Sequence, residues 1–242
     1  MTYDYKILLL SSSNVHGYGF LEYNKDAIKD FIEGLSTPLL FVPYAADKND
    51  WDSYTGKVRT FFKTMGVTFT GIHTIPKERV FTDYAAIFVG GGNTFRLLHT
   101  MQEQKLLAGI RDAVAAGKMK YMGSSAGTNL ACKTICTTND MPIVYPKDGF
   151  EALNLFPYQI NAHYLDPDPD SKHKGETREQ RIAEFHQVND TPVIGLREGA
   201  YLSMDNTFSD TGDMYVGGKP GAKVFVKGKE PFEAPVGEKF RL

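Results

Sequence analysis

Gly123, Ser125 and Gly127 spell G-x-S-x-G within the stretch Lys-Tyr-Met-Gly-Ser-Ser-Ala-Gly-Thr-Asn at 120–129. A serine on a sharp strand-to-helix turn is held in a strained backbone, and small residues two before and two after let that turn close. The helix that follows aims its free N–H groups and positive end at any anion forming on a bound substrate. The context fits: an apolar run, 119–122, precedes the motif, and Ala-Gly-Thr-Asn-Leu-Ala-Cys follows it as a helix-compatible segment. Ser125 is therefore a candidate nucleophile. The plainer alternative is a glycine-tolerant turn that packs a helix on a sheet.

A serine nucleophile needs a base, an orienting acid and oxyanion donors. Of the six histidines, His163 closes a predicted strand at 158–163, where an α/β fold presents its active edge. His16 lies on a strand-to-loop connection, His73 falls inside a strand, His99 and His186 fall on helices, and His173 lies in a charged loop. Two acids could orient His163. Asp140, fifteen residues after the serine, gives the chain order Ser–Asp–His; Glu198, after a strand at 193–196, gives Ser–His–Glu. Gly90-Gly91-Gly92 follows a strand and opens a helix, so its bare N–H groups suit half of an oxyanion hole. A phosphate-binding loop is the alternative, but neither G-x-G-x-x-G nor G-K-[ST] follows. Arg178 opens a helix, where a cation opposes the dipole. It shares a face with Ile182 and Phe185, so it points inward, and a planar guanidinium there suits a carboxylate ligand.

The elements that must position these groups alternate along the chain. Strands are expected at 6–11, 39–43, 68–75, 85–89, 119–123, 158–163 and 193–196. Apolar residues at helical spacing mark helices through Leu21–Leu35 and Trp51–Met65, over 97–116 in two pieces ending at Gly117, and near 176–188. Continuously apolar strands imply a sheet covered on both faces, hence α/β with a doubly wound, mostly parallel sheet sandwiched by helices and ligands at the carboxyl strand ends. After Tyr201 the chain turns Gly-, Asp- and Lys-rich, with short strands at 214–216 and 223–227 read as a C-terminal antiparallel hairpin. No repeat or linker divides it, so 1–242 is read as a single domain.

The chain has 242 residues, 27 basic against 29 acidic, and a net charge of −2. That balance excludes a nucleic-acid footprint. The apolar run 7–10 is too short for a signal-peptide core or a membrane span, so a cytoplasmic protein is expected. Two cysteines, Cys132 and Cys136, make no disulfide framework and no zinc site, and are read as buried thiols. Neither a metal nor an organic cofactor is called for.

Together these residues resemble the peptidase E, or α-aspartyl dipeptidase, family. The carrying strings are Val89-Gly-Gly-Gly-Asn-Thr-Phe95, Gly123-Ser-Ser-Ala-Gly127 with Asn129-Leu-Ala-Cys132, Thr137-Thr-Asn-Asp-Met-Pro-Ile-Val144, Ala152-Leu-Asn-Leu-Phe-Pro157 and His173-Lys-Gly-Glu-Thr-Arg-Glu-Gln-Arg181. The resemblance implies a glutamine-amidotransferase-like sandwich that hydrolyses dipeptides with amino-terminal aspartate. It implies Ser125 as nucleophile, His163 as base, Arg178 as ligand for the aspartate side chain, and Gly92 and Ala126 as oxyanion donors. It leaves the third member between Asp140 and Glu198; Glu198 is favoured because residues at neighbouring strand ends converge on His163. Bacterial members usually carry Trp just before the nucleophile, where this chain has Ser124, and the stretch 166–170 is one residue longer here. Two rivals follow: a cyanophycinase-like isoaspartyl peptidase, against which Gly-Glu-Thr-Arg-Glu-Gln-Arg argues, and a non-catalytic ligand-binding protein on the same fold. The implied partner is a small peptide, with no nucleic acid and no membrane; a homodimer is an admissible assembly.

Overall fold

A computed structural model describes residues 6–168, 170, 175–205 and 213–242. The strands are β1 (Lys6–Leu10), β2 (Leu39–Val42), β3 (Phe69–Gly71), β4 (Ala86–Val89), β5 (Lys120–Ser124), β6 (Gln159–Tyr164), β7 (Val193–Arg197), β8 (Tyr201–Asp205), β9 (Met214–Gly217), β10 (Ala222–Phe225), β11 (Phe232–Glu233) and β12 (Lys239–Phe240). The α-helices are α1 (Lys25–Ile32), α2 (Trp51–Lys63), α3 (Thr94–Glu103), α4 (Leu107–Ala115), α5 (Ala126–Ala131) and α6 (Arg178–Val188).

An eight-stranded sheet runs β12-β9-β8-β1-β5-β4-β2-β3. Its β1-β5-β4-β2-β3 portion is parallel, and β8, β9 and β12 extend it antiparallel at the carboxyl-terminal side. Every residue of β2 and β4 is buried, as strands covered on both faces require. Strand alternation divides the apolar residues. Leu8, Leu10, Phe41, Phe88 and Met122 face Ile28 and Phe31 of α1 and Val58 and Phe62 of α2. Ile7, Leu9, Val42, Val89 and Tyr121 lie in a second cluster with Leu97 of α3, Ile110 of α4 and Leu130 of α5.

The strands at 159–164 and 193–197 do not join that sheet, as a simple doubly wound reading expects. They pair with each other in parallel and with the carboxyl-terminal strands, giving a second, four-stranded sheet β11-β10-β7-β6. The expected terminal hairpin is thus shared out: β8 and β9 extend the large sheet, and β10 covers the free edge of β7. Ile160, Ile194, Leu196 and Val224 of the small sheet belong to the same buried cluster as Ile7 and Leu9. Its other side meets Ile182 of α6, with Tyr164, Val193 and Phe225.

Local departures have local causes. The strand expected over 68–75 stops at Gly71, where the chain turns into one 3-10 turn, Ile72–Thr74. The helical stretch expected over 97–116 begins at Thr94 and breaks where Lys105 takes φ 54°; it ends with Gly117 at φ 66°. Among the described residues no helix is long and apolar enough to cross a membrane.

The crossing of β5 and α5 over β4 is a tight place in the fold. A Cβ on Gly127 would overlap the Val89 carbonyl oxygen, and one on Gly123 would overlap the Gly127 carbonyl oxygen. Both obstacles are backbone and cannot swing aside. Gly127→Ala should therefore lower the unfolding free energy by about 3 kcal/mol, at the upper end of ordinary overpacking costs, measurable by urea denaturation at constant m-value.

Candidate active site

Ser125 sits between β5 and α5 at φ 54°, ψ −110°, a conformation that side-chain-bearing residues rarely adopt. Such a residue stores about 1–3 kcal/mol. The neighbouring backbone fixes it: Ser125 N–H donates to the Leu10 carbonyl at 3.1 Å, and the Ser125 carbonyl accepts from Thr128 and Asn129 N–H. Thr128 Oγ1 donates to the same Leu10 oxygen at 2.6 Å. The turn lifts Oγ out of the sheet to 2.8 Å from His163 Nε2.

His163 reaches this position through a second irregularity. The β6–β7 register slips between Ala162 and Tyr164, and His163 takes φ 54°. This β-bulge re-aims one side chain off the pleat. Ser11 Oγ accepts the His163 N–H at 3.0 Å and donates to the Leu196 carbonyl at 2.7 Å, tying β6, β7 and the end of β1 together. Sequence reading passed over Ser11; its only signal is its place, buried, one residue past β1.

His163 Nδ1 lies 2.7 Å from Glu198 Oε1. Glu198 follows β7, whose last residue is clamped. Arg197 Nε and Nη2 donate to the two Asp166 oxygens at 2.7 and 2.9 Å. Nη1 and Nη2 donate to the two Glu233 oxygens, both at 2.8 Å. These forks hold both carboxyls below the usual carboxylate range and push the guanidinium pKa up. Arg197 was not foreseen, although the unusual stretch 166–170 contains one of its partners.

Asp140, the other candidate acid, serves a different group. Its Oδ2 accepts from Thr94 N–H at 2.8 Å and from Thr94 Oγ1 at 2.5 Å, at the amino end of α3. Its neighbours stitch the same segment to β6: Asn139 Nδ2 donates to the Ala162 carbonyl at 2.6 Å and Thr137 Oγ1 to that of Ile160 at 2.8 Å. The Thr-Thr-Asn-Asp motif is thus a polar strap joining the glycine loop to the strand that carries His163.

The glycine loop faces Ser125. A Cβ on Gly91 would lie 3.1 Å from Ser125 Cβ. Gly92, at φ 137°, would put one 2.5 Å from the Ala45 carbonyl oxygen. Gly91 N–H donates to Tyr54 OH at 3.1 Å. Among the described residues the N–H groups of Gly92 and Ala126 have no backbone acceptor.

Arg178 is half-buried at the start of α6, behind a capping box in which Thr177 and Gln180 exchange hydrogen bonds. Both neighbouring acids are taken: Glu179 by Lys223 at 2.6 Å and Glu176 by Arg181 at 3.6 Å. Burial first, and then Arg181, holds the Arg178 guanidinium below its usual pKa. The other histidines are placed elsewhere. His73 meets Asp52 on the 3-10 turn, His99 stands near Glu103, His186 bonds the Thr191 carbonyl, and His16 is exposed. His173 lies outside the described residues. Both cysteines are free, but only Cys132 is buried; burial pushes its thiol up to about 12, while Cys136 is exposed.

Ser125, His163, Glu198, Gly91 and Gly92 line one cleft of about 410 Å³, with Ser13, Tyr54 and Lys57 among its other walls. Ser124 is fully buried and does not line the cleft; its hydroxyl lies 2.6 Å from that of Ser13, which does. Among the described residues no cluster of histidine, cysteine and acids could hold a metal. The arrangement can deliver a hydroxyl to a carbonyl, receive its proton and bind the resulting oxyanion.

Residues 7–211 match the family model described as Peptidase family S51. The chain is 47% identical over 233 residues to a protein of Streptomyces coelicolor named Peptidase E, covering 96% of this chain and 91% of that one. It is 50% identical over 195 residues to a Drosophila melanogaster protein carrying the name "Probable alpha-aspartyl dipeptidase", covering 80% of each. Among solved structures, a peptidase from an acI-B1 Actinobacterium superposes with a TM-score of 0.69 at 18% identity, over 100% of this chain and 98% of that one. At that identity the likeness is one of fold.

The strain at Ser125 is separable from its chemistry, because alanine keeps the Cβ and glycine removes it. Both Ser125→Ala and Ser125→Gly lose the bond to His163, so that loss cancels between them. Ser125→Gly should be the more stable of the two by about 1–2 kcal/mol, the relief of one left-handed residue, read as a shift in denaturation midpoint. Equal midpoints would mean that the turn is unstrained.

Proposed function

The chain belongs to peptidase family S51, and from that premise we propose that it is a serine-type dipeptidase hydrolysing Asp-Xaa dipeptides through an acyl-enzyme, on one catalytic domain spanning 1–242. The observation that carries this reading is the continuous hydrogen-bonded chain from Ser125 Oγ through His163 to Glu198, at 2.8 and 2.7 Å. Ser125 attacks the peptide carbonyl carbon while His163 Nε2 takes its proton. Glu198 accepts the hydrogen bond that His163 Nδ1–H donates and stays ionised, which fixes the tautomer and stabilises the imidazolium. The N–H groups of Gly92 and Ala126 stabilise the oxyanion. His163 returns the proton to the leaving amine, and water releases aspartate by the same route. Arg178 grips the aspartate side chain. Its partial burial and the engagement of both adjacent acids support that role.

The two acids separate by readout. Glu198→Gln should lower kcat by about 10⁴, the loss expected of a wrong tautomer, with little change in Tm. Asp140→Asn should chiefly lower Tm, because the strap to Thr94 loosens. The opposite pattern, measured on Asp-Leu with matched melting curves, would return Asp140 to the catalytic role.

Specificity tests the substrate assignment. Removing one partner of a desolvated charge pair costs about 2–5 kcal/mol, so Arg178→Met should cut kcat/KM for Asp-Leu by about 30- to 3,000-fold. Asn-Leu, which never made the ion pair, should lose much less. Arg178→Lys should recover only part, since an ammonium lacks the planar fork. Equal losses on both substrates would assign Arg178 to the fold.

A further inference from the structure

One wall of the cleft takes no part in the chemistry above. Tyr54 and Lys57 stand three residues apart on α2, hence on one face, and both line the cleft with Phe20, Ser125 and His163. Tyr54 OH accepts the Gly91 N–H at 3.1 Å, so its own proton is left to donate; among the described residues it has no acceptor. Burial pushes that phenol up to about 12, and it stays protonated at neutral pH. Lys57 Nζ lies 4.4 Å from the centroid of the Phe20 ring, and no acid among the described residues pairs with it. The acid in the cleft, Glu198, is engaged with His163. This wall therefore offers one cation and one further donor, and no unengaged carboxylate: it suits an anion.

We propose that Lys57, with Tyr54, binds the free carboxylate of the second residue of the dipeptide and so limits the enzyme to substrates that end there. This rests on the aspartyl dipeptidase reading. Such a substrate carries two carboxylates, and Arg178 is assigned the first. The second is fixed one residue beyond the scissile carbonyl, about 3.8 Å along the chain, a separation that one cleft shared by Ser125 and Lys57 can span. Lys57 is exposed at the rim of the cleft.

The test measures kcat/KM of wild type, Lys57→Met and Lys57→Arg on Asp-Leu, Asp-leucinamide and Asn-Leu. Losing a charged hydrogen bond at a partly open site should cost Lys57→Met about 10- to 100-fold on Asp-Leu, mostly in KM. Asn-Leu, which keeps the terminal carboxylate, should lose the same factor. Asp-leucinamide should be poor already with wild type and change less than about threefold, and Lys57→Arg should restore most of the Asp-Leu activity. An equal loss on the amide, or a loss confined to aspartyl substrates, overturns the proposal while leaving the dipeptidase reading intact. Wild-type protein without activity on Asp-Leu would bring down that reading and the carboxylate site with it.

Discussion

The hydrogen-bonded group Ser125, His163 and Glu198 is anchored to the carboxyl end of β1. The Leu10 carbonyl takes two hydrogen bonds from the elbow, one from Ser125 N–H and one from Thr128 Oγ1. One residue later, Ser11 uses its hydroxyl to hold His163 N–H and the Leu196 carbonyl, and its own N–H donates to the Ala200 carbonyl. Two successive residues thus touch the segment bearing the serine, the strand bearing the histidine and both sides of the turn bearing Glu198. The two sheets meet here, and Ser11 is fully buried, so its bonds form where water cannot compete.

This arrangement explains how two strained residues persist. Ser125 and His163 both adopt φ 54° without being glycine, at about 1–3 kcal/mol each. A typical hydrogen bond contributes a net ~1 kcal/mol, so no single bond offsets such strain. Each site has several. The elbow also has glycines on either side that allow close packing on Val89, and the bulge has the Asn139 strap at the adjacent Ala162 carbonyl. The charges divide similarly. Arg197, doubly forked between Asp166 and Glu233, immobilises the end of β7 and leaves the next residue, Glu198, to address His163.

What could be read from the sequence was whatever the local pattern encodes. Gly123-x-Ser125-x-Gly127 announces its turn because only glycine fits at its flanks, and the parallel sheet announces itself through continuously apolar strands. His163 could be picked out by its place at a strand end, although its reach depends on a bulge that no periodicity reveals. Long-range pairing was not legible. Val193–Arg197 reads equally well as a central strand of one sheet or the middle of another, and the partner β10 lies far along the chain. The same limit separates Asp140 from Glu198. Both are loop acids near apolar segments; what distinguishes them is that one meets Thr94 and the other His163. Ser11 and Arg197 were invisible for a related reason: a serine after a strand and an arginine at a strand end acquire meaning only from what the fold brings to them.

The charges around the site are unevenly paired. Within the described residues the acids near the reaction centre are spent on internal partners: Glu198 on His163, Asp140 on Thr94, Asp166 and Glu233 on Arg197, Glu179 on Lys223. Arg178 and Lys57 are not matched in this way. The Arg178 guanidinium is half-buried, its pKa is held down by burial and by a second arginine, and no acid among the described residues pairs with it; partial desolvation without a partner is unfavourable. Replacing it with an apolar residue of similar length would remove that penalty. On the proposed dipeptidase reading, its partner arrives with the substrate, and a carboxylate would match the fork in both charge and shape. On the same proposal, a charge rather than apolar contact would set the discrimination: apolar contact separates similar substrates by small factors, whereas leaving a desolvated charge unpaired separates them by large ones.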